Sequence, residues 1–117
     1  MNITILGTGA YGLALSSMFL ENNCNITMWT KFEDERKMLE NERCNKNVLP
    51  DYKISEKIIF TTNLEKAVRN ANVIVIAIPV KFVADTILEL KNIIKVINIY
   101  VLLVKVSSKV VVYLSQV

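Results

Sequence analysis

The sequence predicts an α/β domain, an open, doubly wound and mostly parallel sheet with helices on both faces. Three observations carry this expectation. Apolar, strand-like runs alternate with helical patterns along the 117 residues. The run "NVIVIAIP", Asn72 to Pro79, is aliphatic without polar alternation, as in a strand covered on both faces. The stretch "ILGTGAYG", Ile5 to Gly12, ends an apolar run on glycine and leads straight into a helical pattern.

Taken in order, "NITILG" (Asn2 to Gly7) is a first strand, and Ala10, Ala14 and Ser17 then recur at helical spacing until Asn22-Asn23 breaks the helix. "NITMWT", Asn25 to Thr30, is rich in β-branched and large apolar residues and reads as a second strand. A charged helix follows over Glu33 to Arg43, with Met38 and Leu39 facing inward, and Cys44 to Lys57 reads as loop around Pro50 and Asp51. "KIIFT" (Lys57 to Thr61) is a third strand. Thr62 and Glu65 have the spacing of a capping box that opens a short helix through Asn70. After the Asn72–Pro79 strand, Phe82, Val83, Ile87, Leu88 and Leu90 mark an amphipathic helix, and "VINIYVLLV" (Val96 to Val104) is strand-like.

Composition narrows the chemistry. The chain holds no histidine, which excludes histidine-based nucleophile pairs, zinc sites and a histidine general base. Cys24 and Cys44 match no metal or redox spacing and read as free structural thiols of a cytoplasmic protein. All 11 acidic residues lie at or before Glu89, so the net charge of +3 arises from the last part of the chain. Without interleaved aromatics or a basic helix, this charge does not point to nucleic acid. The longest uncharged C-terminal run, Val96 to Val104, is far short of the roughly 20 residues that span a bilayer.

Gly7, Gly9 and Gly12 fit G-x-G-x-x-G in the strand-to-helix context that gives this motif meaning. The first glycine permits the tight turn, the second admits a pyrophosphate to the backbone, and the third lets helix and strand pack closely. The helix N-terminus then presents free N–H groups and a positive dipole end to the phosphates. At the end of the second strand, where an acid would bond the ribose 2′-OH of NAD, stand Thr30 and Lys31. A cation without an acid there favours a 2′-phosphate, hence NADP slightly over NAD, although Glu33 or Asp34 could fold back toward the ribose.

"ILGTGAYG", "MWTK", "NKNVLP" and "TTNLEKAVRNANVIVIAIPVK", with their spacing, resemble the N-terminal domain of bacterial NAD(P)-dependent glycerol-3-phosphate dehydrogenase. Trp29 and the Asn45 to Pro50 loop are the family-specific parts. The resemblance implies a Rossmann-type cofactor domain over residues 1–95, and an enzyme family that interconverts dihydroxyacetone phosphate and glycerol 3-phosphate. Carried over by position, it makes Gly7, Gly9, Ala10, Tyr11 and Gly12 the pyrophosphate loop. It sets Lys31 and Phe32 near the adenosine ribose and Pro79 beneath the nicotinamide half. Val48 stands where an aromatic is common. Lys105 takes the place of a lysine that approaches both cofactor and substrate phosphate in a Ser-Lys-Gly turn, but its neighbours here are Val104 and Val106.

A β-branched valine does not readily adopt φ > 0, so residues 96–117 read as an atypical apolar tail, a possible last strand. Regrouping the codons by one base from Lys95 onward can restore Ser-Lys-Gly at the family's position. This leads to the expectation of a frameshifted, truncated dehydrogenase that lacks the helical substrate domain and its catalytic lysine. Such a chain would bind cofactor without full catalysis. Two other readings remain open: a stand-alone NAD(P)-binding regulatory module, and a non-functional fragment with an aggregation-prone strand edge.

Overall fold

The structure is a computed structural model in which residues 1–94, 98–106 and 109–115 are described, the last two segments as backbone. The elements run β1 (Asn2–Leu6), α1 (Ala10–Glu21), β2 (Asn25–Trp29), α2 (Glu33–Glu42), β3 (Ile59–Thr61), α3 (Leu64–Val68), β4 (Val73–Pro79), α4 (Val80–Lys91), β5 (Asn98–Val106) and β6 (Lys109–Ser115). They form one six-stranded sheet in the order β3-β2-β1-β4-β6-β5. The expected α/β architecture is present. Pairings β3·β2, β2·β1 and β1·β4 are parallel, whereas β6 runs antiparallel to both β4 and β5.

Strand alternation divides the core between the two faces of the sheet. Ile3, Ile5, Ile26, Met28, Val75 and Ala77 pack on one face with Leu13, Leu15 and Leu39 from α1 and α2. Leu6, Trp29, Ile74 and Ile76 point to the other face and meet Leu64, Ala67 and Val68 of α3 and Leu90 of α4. This two-sided covering explains why β4 is aliphatic at nearly every position. Buried Thr4 satisfies its hydroxyl by donating to the Ala67 carbonyl, which ties α3 to β1.

Asn22 caps α1, and Asn23 turns the chain with φ 61°, a left-handed conformation that asparagine tolerates better than most residues. Arg43 ends α2 in the same region, φ 52°. Its guanidinium donates to the carbonyls of Ile58 (2.8 Å) and Ser55 (3.3 Å) and lies over the Phe60 ring, tying the irregular 44–58 segment to β3.

Three sequence expectations are corrected. The cap of α3 is Asn63, whose side chain accepts from Lys66 N at 3.0 Å, whereas Thr62 instead donates to Glu33. Asn63 is the stronger capping residue, and Thr62 is engaged across the fold. In α4, Phe82 and Leu88 are exposed and only Thr86 and Leu90 are buried, because the helix meets β4 along a narrow stripe. The C-terminal region contains two strands where the sequence suggests one, and β5 continues through Lys105 and Val106. Their apolar runs adjoin in sequence with little turn chemistry to separate them.

Candidate functional site

A cleft of about 400 Å³ opens at the C-terminal ends of the parallel strands. Its position follows from topology. The chain leaves β1 for β2 on one side and returns to β4 on the other, and the divergence leaves a crevice above β1, where open α/β sheets bind ligands. Gly7, Gly9, Trp29 and Pro79 line it, together with Lys31 and Phe32.

The glycine loop has a steric explanation for two of its members. Gly7 has φ +128°, and a Cβ there would lie 2.2 Å from the Ala77 carbonyl oxygen of β4. A Cβ on Gly12 would lie 2.6 Å from the Gly7 carbonyl oxygen, so α1 packs against the loop at a distance that only glycine allows. Gly9 is the N-cap of α1. No side chain caps this end and the first turn holds no acid. Its unpaired N–H groups and dipole therefore form a positive pole beside the cleft.

Ala10, Tyr11 and Gly12, which the resemblance assigns to the pyrophosphate loop, are not among the residues lining the cleft. Tyr11 packs against the core on the α1 side, and Gly12 is buried. Val48 does line the cleft. Lys105 lies in β5, and its side chain is outside the described residues.

The structure also brings in residues that the sequence did not single out. Buried Asn45 donates from Nδ2 to the Thr8 carbonyl at 2.9 Å, joining the irregular segment to the glycine loop. Its Oδ1 accepts from Asn47 N, and its carbonyl accepts from Leu49 N. Thr8 and Thr30, both buried, each donate a hydroxyl to Oε1 of Glu35, which lines the cleft. From α4, Phe82, Asp85, Thr86 and Glu89 complete the wall. Position in sequence carried no signal for these contacts, apart from the Asn45–Pro50 loop already noted as distinctive.

Neighbouring charges are mostly occupied with one another. Glu33 is held well below the usual carboxylate range, at about 2, chiefly by the charged hydrogen bond from Arg36 and also by the Thr62 hydroxyl. Arg36 bridges Glu33 and Glu40, and its guanidinium pKa is raised by the bonds to both. Lys46 is raised by its bond to Glu42. Neither Glu33 nor Asp34 lines the cleft. Among the described residues Lys31 forms no ion pair, which leaves its ammonium available at the rim. Also among the described residues, no helix is long and apolar enough to cross a membrane.

The cleft therefore combines a positive backbone pole, close-approach glycines, a free lysine and apolar walls from Trp29, Ile78 and Phe82. That set suits an elongated anionic ligand with flat, partly apolar ends.

Comparison with known proteins identifies the family. A family model described as NAD-dependent glycerol-3-phosphate dehydrogenase N-terminus matches residues 2–117. Among curated proteins, a glycerol-3-phosphate dehydrogenase [NAD(P)+] of Limosilactobacillus reuteri is 34% identical over 91 residues, covering 78% of this chain and 27% of that protein. The corresponding protein of Fusobacterium nucleatum is 36% identical over 95 residues, covering 81% and 28%. The chain thus spans little more than a quarter of the length of these relatives. The crystal structure of glycerol-3-phosphate dehydrogenase from Coxiella burnetii superposes with a TM-score of 0.75 at 24% identity, over 80% of this chain and 29% of that one. At that identity the likeness concerns the fold.

Proposed function

Because the chain belongs to the NAD-dependent glycerol-3-phosphate dehydrogenase N-terminus family, we propose that it is the cofactor-holding part of such a dehydrogenase. It takes NAD or NADP in the cleft above β1. The bound nicotinamide would supply the hydride exchanged between glycerol 3-phosphate and dihydroxyacetone phosphate.

The glycine loop is the observation that carries this reading. Gly7 and Gly12 are sterically required, and with Gly9 they bring α1's uncapped N-terminus to the cleft, where a pyrophosphate would be held by backbone N–H groups. Lys31 and Phe32 serve the adenosine end, and Lys31 draws a 2′-phosphate so that NADP is slightly favoured. Pro79 and Phe82 form the floor and wall of the other half.

Lys105 would approach the cofactor and the substrate phosphate. Backbone register supports this, because its neighbour Val106 pairs with Lys109, which pairs with Pro79 at the cleft end of β4. On this reading the chain alone binds cofactor without full turnover. The reaction would take place in the cytoplasm.

The test is titration with NADPH and NADH, followed by quenching of Trp29, with a glycerol 3-phosphate oxidation assay on the same sample. Trp29 lines the cleft and donates from Nε1 to the Thr62 carbonyl at 3.0 Å, so its fluorescence reports occupancy. Saturable quenching with little or no turnover is expected. Absence of saturable binding would overturn the reading.

A further inference from the structure

We propose that Glu35 is a specificity-determining residue of the dinucleotide site, supplying from α2 the carboxylate that the end of β2 lacks and so keeping NAD in competition with NADP. This inference rests on the functional reading above and names a property of the same site.

In dinucleotide folds an acid at the end of the second strand accepts a hydrogen bond from the ribose 2′-OH. Here β2 ends at Trp29 and is followed by Thr30, which cannot take that role as an anion. The Thr30 hydroxyl instead donates to Oε1 of Glu35 at 3.4 Å, and the Thr8 hydroxyl, from within the glycine loop, donates to the same oxygen. Two buried hydroxyls from the two elements that border a ribose site therefore hold one carboxylate between them. Phe32 N donates to Thr30 Oγ1 at 3.3 Å, which fixes the orientation of that hydroxyl's oxygen.

Both bonds fall on one oxygen. Among the described residues Oε2 of Glu35 carries no hydrogen bond or ion pair, and the side chain lines the cleft. The three acids of α2's first turn thus have different fates. Glu33 is occupied by Arg36 and Thr62, Asp34 lies away from the cleft, and Glu35 faces it. Sequence spacing misses this arrangement because the acid arrives through a helical turn after the strand rather than at the strand end.

Lys31, on the same wall, has the opposite sign. A ribose 2′-OH can donate to Oε2 of Glu35, whereas a 2′-phosphate meets repulsion from Glu35 and attraction from Lys31. Discrimination is then the balance of two opposed charges, one held by threonines and one on a flexible stem.

The test measures NADPH and NADH affinities of the full chain by Trp29 quenching, for wild type, Glu35→Gln and Lys31→Met. Gln keeps an acceptor for the two threonine hydroxyls, and the ratio of affinities is insensitive to a uniform loss of binding. Glu35→Gln is expected to raise the NADPH-to-NADH affinity ratio about tenfold, and Lys31→Met to lower it by a similar factor. A Glu35→Gln variant that changes both affinities by the same factor, or shifts the ratio toward NADH, would overturn the inference while leaving the binding site intact. A wild-type chain that binds neither dinucleotide would overturn the functional reading, and this inference with it.

Discussion

Replacing Gly12 by alanine sets two known effects against each other. Gly12 lies in the first turn of α1, where alanine is the better helix former by about 1 kcal/mol, so propensity alone predicts stabilisation. The added Cβ, however, would sit 2.6 Å from the Gly7 carbonyl oxygen and 3.3 Å from its carbon, against the 3.4 Å at which ordinary contact begins. Both atoms are backbone, so relief requires α1 to move away from the loop. Overpacking of this kind costs about 1–3 kcal/mol, and the rigid partner points to the upper end. The net expectation is a loss of about 2 kcal/mol, or roughly 8 °C in Tm for a chain of this size. Moving α1 also withdraws its N-terminus from the cleft, so NADPH affinity is expected to fall by about tenfold or more. Thermal unfolding by circular dichroism and NADPH titration of the same variant measure both. A Gly12→Ala protein with Tm at or above wild type and unchanged NADPH binding would refute the steric account of the motif.

The remaining predictions concern anchoring, charge and the C-terminal region. Asn45→Ala leaves the Thr8 carbonyl without its buried donor and is expected to cost about 1–3 kcal/mol, read as a lower urea midpoint; an unchanged midpoint would contradict the anchoring role. Glu33 has a folded pKa of about 2 against an ordinary 4.5, so its contribution is complete above pH 4.5 and is lost as pH falls through about 2. Urea midpoints of Glu33→Gln should therefore decline less than those of wild type between pH 4.5 and 2, and parallel curves would show that the Arg36 pair contributes nothing. The frame shift expected from Lys95 onward predicts that resequencing the gene there finds one base missing, whose return restores Ser-Lys-Gly, whereas an intact frame through Val117 would refute it.

The fold was legible where local chemistry and long-range structure coincide. The Ile5–Gly12 stretch is strand, turn and helix, and β4 is continuously aliphatic because α-helices cover it on both sides of the sheet. Asn22-Asn23 ended α1 as expected, through a left-handed Asn23. Lys31, Phe32 and Pro79 line one cleft, since topology gathers the C-terminal ends of parallel strands. The Thr8–Glu35–Thr30 cluster was not legible, because the Thr8 bond reaches across 27 residues of sequence and all three residue types are ordinary on a surface. Asn45 was similarly hidden, since a loop asparagine and a buried anchor look alike in sequence. The choice between Thr62 and Asn63 as helix cap turned on whether Glu33 had already engaged the threonine, which is a tertiary fact.

The central claim is that the glycine loop holds the cofactor. Amide and indole NMR shifts of the isotope-labelled chain during NADPH addition test it most directly. The account predicts that Gly7, Thr8, Gly9 and Ala10 amides and the Trp29 indole move together and saturate. Shifts confined to the opposite groove, around Asn25, Lys57 and Lys66, or no shifts at all, would contradict it.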